Sequence, residues 1–204
     1  MTVAKGQPWG AAVPADRLRP VMSDDAALHR WVNQHRLAGT PIPPVTLTGG
    51  DLARTCGGGH TGTVGATVTR VTLDIVRIDG DVAPVWMVAH MVARRSWWSG
   101  PVVLAMNAQF LGRYDVAPRS HPNDGKVDVL QVADTMSARV RWQARQRAVQ
   151  GTHLPHPQLA MRQSAALTIE LSRAVSLRVD GVSVGASRAF TLTVEPDAVV
   201  ADIA

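Results

Sequence analysis

Hydrophobic positions recur along this chain in two rhythms, and the change between them falls near Thr63. Before that point Leu28, Trp31, Val32 and His35 sit at helical spacing, behind a Ser23-Asp24-Asp25 run that supplies an N-cap and an acidic first turn. Pro41, Pro43 and Pro44 stop the helix. A short strand at Val45 and Leu47 then leads into Thr48-Gly49-Gly50-Asp51, where Asp51 or Thr48 would cap a brief helix through Leu52, Ala53 and Arg54 that ends at Gly57.

After Thr63 the period drops to two. Val64, Ala66 and Val68, then Val71, Leu73 and Ile75, alternate with polar residues, and the change of phase predicts a register break near Arg70. Asp79-Gly80-Asp81 reads as a tight turn into a strand over residues 85–92, with further strands over 102–106 and 126–132. One helix interrupts them over 134–149, its stripe formed by Met136, Val140, Ala144 and Ala148, with Arg139, Arg141, Arg145 and Arg147 around it. Four more strands follow, over 165–171, 175–179, 189–194 and 198–203, with Asp180-Gly181 as a hairpin signal. Many short strands separated by close turn signals predict a mainly β (α+β) fold, an antiparallel sandwich or barrel, with a short N-terminal helical appendage.

Composition narrows the class. With 46% hydrophobic and 18% charged residues the chain has the make-up of a globular protein. No apolar run reaches the roughly 18 residues of a membrane helix, and residues 1–10 lack the apolar stretch of a secretory signal, so a cytoplasmic protein is expected. Cys56 is the single cysteine, which excludes an internal disulfide framework and a cysteine-based zinc site. The net charge is +5, and all but two of the basic residues, Lys5 and Lys126, are arginine. Arginine attracts phosphates, anionic headgroups or nucleic acid, and it also accumulates in proteins of GC-rich genomes. No base-stacking motif accompanies it, and no nucleic-acid partner is expected. The arginine helix, with Trp142 near its polar face, fits contact with an anionic membrane or simply a solvated outer face, and Trp97-Trp98 reads as core.

Two motifs have better explanations than their first appearance. Gly57-Gly58-Gly59-His60-Thr61-Gly62 spells G-x-G-x-x-G, but a helix leads in and a β-branched run follows, the reverse of a dinucleotide site; it reads as a flexible connector. His153-Leu154-Pro155-His156-Pro157 resembles a ligand pair, but its prolines prevent helical alignment and no carboxylate is close in sequence. There is no G-x-S-x-G elbow, H-E-x-x-H pair or phosphate-binding lysine loop.

The segment Met106-Asn107-Ala108-Gln109-Phe110-Leu111-Gly112, followed by Ala117-Pro118 and then Asn123-Asp124-Gly125-Lys126-Val127-Asp128-Val129, is more specific. It resembles the C-terminal β-sandwich domain of the bacterial diacylglycerol and lipid kinases. Gly151 and His153 resemble that family's G-x-H, Asp180-Gly181 its D-G-E hairpin, and residues 191–197 its last strand, all in the family's order. Upstream, Gly49, Asp51, Ala53 and Arg54 match its G-T-x-N-D-x-A-R segment, with Gly50 in place of the asparagine. The resemblance implies two regions: 1–60, a helical appendage with a remnant of the nucleotide domain, and 61–204, the sandwich. It also implies a lipid-admitting cleft near Asn107, Asp124 and Asp180, faced by Asp51 and Arg54. A structural magnesium is implied at Asp124 and the carbonyls of Lys126 and His121, a set of hard oxygen ligands.

The departures set the functional expectation. The family's G-G-D-G-T nucleotide loop is missing, and Val182 stands where D-G-E supplies the proton-accepting glutamate. The expectation is therefore a catalytically inactive relative that binds a lipid or phosphorylated ligand, with no ATP. Peripheral membrane contact and self-association through an open sheet edge are the further partners it admits. The alternative is a lipid kinase completed by a separate nucleotide-binding chain.

Overall fold

The structure is a computed structural model that describes residues 9–58 and 67–204. Residues 59–62 of the glycine run, and Val64 and Ala66 of the first expected strand, lie outside the described residues.

The N-terminal part contributes β1 (Ala11–Pro14), β2 (Val21–Met22), α1 (Asp25–Leu37), β3 (Val45–Leu47) and α2 (Asp51–Thr55). Helix α1 starts where the sequence predicts, because the Asp24 side chain accepts from the Ala27 N–H at 2.7 Å. Helix α2 is capped from elsewhere. Its N-cap is Gly50, which has no side chain to offer, and the Asp25 carboxylate of α1 accepts from the Asp51 and Leu52 N–H groups instead. Gly50 has to be glycine here: its φ is +97°, and a Cβ would lie 2.4 Å from Asp25 Oδ1.

The strands that follow are β4 (Thr67–Gly80), β5 (Val85–Met87), β6 (His90–Arg94), β7 (Val102–Met106), β8 (Phe110–Leu111), β9 (Tyr114–Asp115) and β10 (Val127–Val132). After them come α3 (Ala138–Ala148), β11 (Leu159–Ser164), β12 (Ala166–Val179) and β13 (Val182–Ile203). The main sheet runs β1-β4-β13-β12-β6-β7-β10-β11, all neighbours antiparallel, and β8–β9 form a separate hairpin. Parallel pairing occurs where β3 lies beside β2 and the end of β13. The fold is mostly antiparallel β, as the sequence pattern implies.

The sheet folds over itself, so that Val76, Ile78, Leu192 and Phe190 of one half meet Met91, Ala93, Val103 and Val129 of the other. Each half buries its outer face as well. Val71, Leu73, Ile75, Val199 and Ala201 pack against α1 and α2, and Val92, Leu104, Leu130 and Leu159 pack toward α3. Covering both faces of a sheet in this way produces consecutive buried residues such as Leu73, Asp74, Ile75 and Val76.

Several expectations are corrected at this level. There is no register break near Arg70: β4 pairs continuously with β13 from Thr69 to Leu73. The phase change in the sequence arises because odd residues face the α1/α2 core and even residues the sandwich core. The real irregularity is on β13 between Glu195 and Val199, where Asp197 adopts φ +52° and the buried Asp74 carboxylate accepts its N–H at 2.9 Å. The four expected C-terminal strands are two long ones with bulges, and β11 precedes them. Helix α3 starts at Ala138 rather than residue 134, because Ser137 takes the N-cap. Trp97 is half-buried as expected of core, but Trp98 is 45% exposed.

Cys56 ends α2 against the first core, where burial, followed by the Asp25 charge, pushes its thiol up to about 12. Thiolate is then scarce at pH 8. Alkylation of the native protein should be on the order of a hundredfold slower than that of the urea-unfolded chain, in a timed iodoacetamide experiment read by intact mass. Equal rates would show the thiol to be open.

Candidate functional site

Strand register builds the site. Arg178, Val92, Leu104, Leu130 and Met161 lie in one row across β12, β6, β7, β10 and β11, and Ser176, Arg94, Val102, Val132 and Leu159 form the next. The middle of both rows is apolar, and α3 lies over it with Ala144 and Ala148 facing down. Small alanines on a helix that covers Leu and Val leave a gap: a cavity of about 370 Å³, within the range of about 300–1,000 Å³ that holds small ligands. Met136, Val116 and Tyr114 close its sides.

Helix α3 is held in place by Arg141, which does not belong to the helix's solvated face. It is 3% exposed, and its guanidinium donates to the carbonyls of Met136 (2.9 Å), Gly100 (2.7 Å), Ala133 (3.1 Å) and Trp97 (3.5 Å). Burial lowers its pKa from the ordinary arginine value. His153 is also buried in the cavity wall with neither ring nitrogen hydrogen-bonded; burial pushes its pKa down, and the Val116 main chain and the Asp115 charge only partly offset this.

Polar groups gather at the two ends of the cavity. At the first, Arg94, Arg145 and Arg178 line the opening toward β12. Burial lowers the pKa of Arg94, and the charges of Arg178 and Arg145 lower it further, which places the three cations together. Burial favours the neutral Tyr114 phenol, but hydrogen bonds from Arg113 and Arg145 outweigh it and bring the pKa below the ordinary value.

At the second end are His90 and Gly181. Asp180 and Gly181 turn β12 into β13 with φ of +49° and +81°, the two left-handed residues of a type I′ hairpin, as the Asp-Gly pair predicts. The Asp180 carboxylate points inward. It accepts from the N–H groups of Val88 (2.9 Å), Ala89 (2.8 Å) and His90 (2.9 Å), and His29 Nδ1 lies 3.1 Å from Oδ2. His90 Nδ1 has no hydrogen bond and lies 4.0 Å from Asp51 Oδ2. Asp25, beside it, is raised to about 6, chiefly by burial. Among the described residues, Asp25, Asp51 and His90 are the set whose ligand atoms all lie within 4.8 Å of one another, the spacing a metal ion needs.

The structure brings some predicted residues together and separates others. Asn107 and Asp180 converge on one loop. The Asn107 amide donates to the carbonyls of Val88 and Asp74, both at 2.9 Å, while Asp180 holds the N–H of Val88. Asn107 is fully buried, and its Oδ1 has no partner. Asp51 and Arg54 both grip the β8–β9 hairpin: Asp51 accepts from the Gly112 N–H, Arg54 donates to the Gly112 carbonyl, and the Arg54 guanidinium stacks on Phe110 at 3.7 Å. Val182 pairs with Val179 as the first residue of β13. Asp124 sits elsewhere, on the far side of Asp74. Its two oxygens accept from the Lys126 N–H and the Gln163 amide, both at 3.0 Å, and His121 Nδ1 accepts from the Asn123 N–H. The Asn123-Asp124-Gly125 turn is docked by Asp74, which accepts the Gly125 N–H at 2.8 Å.

Sequence reasoning missed Asp25 and His90 as members of a cluster, and Arg94 and Arg178 altogether. The only local signal for the last two is a charged residue closing an otherwise apolar every-second-residue pattern, as in His90, Val92 and Arg94.

Comparison with known proteins bears on this architecture. Residues 59–201 match the family model described as the YegS C-terminal NAD kinase beta sandwich-like domain. No curated protein matches the chain. Among solved structures, a diacylglycerol kinase from Bacillus anthracis strain Sterne superposes with a TM-score of 0.62 at 11% identity, covering 90% of this chain and 75% of that one. Two structures of an inferred diacylglycerol kinase from the same organism give 0.65, also at 11% identity, over 90% and 89% of this chain and 76% of each of those. At that identity the likeness concerns the fold. With the family model spanning most of the chain, this protein belongs to the YegS C-terminal β-sandwich family, the family of the lipid-kinase C-terminal domain.

Proposed function

We propose that the chain is a lipid-kinase relative that binds a lipid in the cavity beneath α3 and does not itself transfer a phosphoryl group. The observation that carries this reading is the cavity of about 370 Å³, apolar along its floor and closed by one helix. Two features support inactivity. Val182 occupies the position of the family's proton acceptor, and the Asp180 carboxylate beside it is already engaged by three main-chain donors and His29. Among the described residues no helix is long and apolar enough to cross a membrane. The exposed Trp142 on the cavity's helix and the exposed Trp98 beside it support loading from a membrane surface, and the sheet edges at β1 and β11 offer routes to self-association.

Native mass spectrometry of the purified protein, with lipid extraction and a parallel ATP titration, tests the reading. Co-purified lipid without ATP binding is the expected result. Leu104→Trp, which fills the cavity from its floor, should abolish the lipid adduct while leaving circular dichroism unchanged. Saturable ATP binding would sink the claim of inactivity.

A second reading has its own observation. The cluster of Asp25, Asp51 and His90 lies at the Gly181 end of the cavity and has the spacing for a cation, as a lipid kinase completed by a separate nucleotide-binding chain would need. The magnesium implied by the resemblance is a different matter. Asp124 would hold it with the carbonyls of Lys126 and His121. The half-buried Asp124 side chain, each oxygen taking a single hydrogen bond, fits such a set, and the role would be to brace the Asn123–Lys126 turn.

A further inference from the structure

Several arginines of the fold are held by carboxylates or carbonyls. Arg19 and Arg70 bind Asp202, Arg36 binds Glu195, Arg77 binds Asp79, and Arg141 holds its carbonyls. Arg94, Arg145 and Arg178 have no carboxylate within 4.0 Å among the described residues, although they stand at one opening of the cavity and repel one another. Arg94 carries the clearest mark of something missing: its Nε is buried and has no hydrogen-bond partner. The cluster is also held in shape rather than left to wander in solvent. Arg94 stacks on Trp97 at 4.4 Å, and Arg145 packs against Trp97 (5.2 Å), Trp98 (5.4 Å) and Tyr114 (5.2 Å) while donating to the Tyr114 hydroxyl at 2.8 Å. Aromatic faces hold the Arg94 and Arg145 guanidiniums at the opening, and Arg94 Nε keeps a donor unused, the preorganisation that recognition of an oxyanion needs.

We propose that the occupant of the cavity is an anionic amphiphile. Its apolar tail lies along Val92, Leu104 and Leu130 under α3, and its phosphate or carboxylate head is held between Arg94, Arg145 and Arg178. This rests on the reading of the cavity as a lipid site and adds to it the charge of the ligand and the direction in which it lies. A neutral diacylglycerol-like lipid would leave three like charges facing one another; an anionic head would neutralise them and satisfy the buried Arg94 Nε.

The test compares four probes on the full chain by isothermal titration at fixed salt: an oleoyl lysophosphatidic acid, oleic acid, monooleoylglycerol and glycerol 3-phosphate. Charge-assisted hydrogen bonds to two or three guanidiniums should make at least one of the two anionic lipids bind about tenfold to a hundredfold tighter than monooleoylglycerol. Glycerol 3-phosphate alone should not bind measurably. The double variant Arg94→Met/Arg178→Met, checked for fold by circular dichroism, should lose that preference and its salt dependence yet still bind monooleoylglycerol. Equal affinity for charged and neutral lipids in the parent protein would overturn the head assignment while leaving the cavity as a lipid site. Glycerol 3-phosphate binding as tightly as the lysophospholipid would overturn it in favour of a free phosphorylated solute. If no acyl probe binds, the cavity reading itself falls, and this proposal with it.

Discussion

Replacing Asp180 by alanine should destabilise the protein by about 3–6 kcal/mol, since each of three buried amides left without an acceptor costs about 1–3 kcal/mol. The amides of Val88, Ala89 and His90 have no route to water: Val88 and Ala89 are within 1% of complete burial, His90 is 8% exposed, and Asp180 itself only 2%. Domain stabilities amount to only about 5–15 kcal/mol, so a large share of the variant would be unfolded in mild urea. Asp180→Asn should fall between the two proteins. Asparagine tolerates the φ of +49° at this position and keeps one oxygen, but its NH₂ would face the Val88 N–H or His29. Urea titration followed by tryptophan fluorescence measures both. A loss below about 1 kcal/mol in the alanine variant would mean that water reaches these amides and that the hairpin is not a clamp. The consequence for binding is direct, because His90 and Gly181 on either side of the clamp line one end of the cavity.

Arg141→Ala comes next in size, at about 2–4 kcal/mol, or a fall in Tm of roughly 5–12 °C for a chain of this length. The guanidinium joins the Ala133–Met136 turn before α3 to the Trp97–Gly100 loop before β7, and four carbonyls lose their donor with it. Carbonyls tolerate the loss better than amides do, since each has a second lone pair, which places this change below the first. Arg141→Lys should recover less than half, because an ammonium on a flexible stem cannot reach carbonyls in several directions as a planar fork does. Differential scanning calorimetry gives the stability. Hydrogen exchange over residues 138–148 should show α3 protected in the parent protein and open in the variant. Global destabilisation with α3 still fully protected would contradict the role assigned to this residue.

Neither residue's role was legible in the sequence, and the reason is the same for both. Asp180 could be read as a turn residue from its neighbour Gly181, and that reading is right as far as it goes. Its carboxylate, however, serves a segment some ninety positions away, which no local pattern records. Arg141 belongs to an arginine-rich helix whose spacing marks a solvated face, and only the fold reveals the carbonyls that surround it. Local chemistry did carry the start of α1, because Asp24 caps its first turn, and the Asp180-Gly181 hairpin, because two positive φ values need such residues.

Strand boundaries were legible only where one core faces one side of the strand. In β4 the alternation of Val71, Leu73 and Ile75 gives way to Val76 and Ile78, and that shift resembles a break although the backbone is continuous. Strand β11 passed unnoticed because only Leu159 along it is buried, which leaves no hydrophobic alternation to read. The candidate site was harder still. Arg94 and Arg178 are brought near each other by strand register, and Arg145 comes down from a helix between β10 and β11. Their convergence is a property of topology. What the sequence carried was the order of short motifs, sufficient to point to the family while leaving the cavity unseen.

The parallel pairing of β3 with the end of β13 has a consequence for how the chain acquires its structure. Val45, Thr46 and Leu47 are aligned with Ala201, Asp202 and Ile203, and Arg19 and Arg70 share Asp202. The earlier of these two segments therefore waits for the later one, some 155 residues on, to complete its core, and until then Leu28, Val32 and Leu52 have only part of their packing partners. Contacts so distant in sequence slow folding and lengthen the exposure of apolar surface to other molecules. A ribosome-bound intermediate truncated before Val199 should accordingly be a preferred client of chaperones.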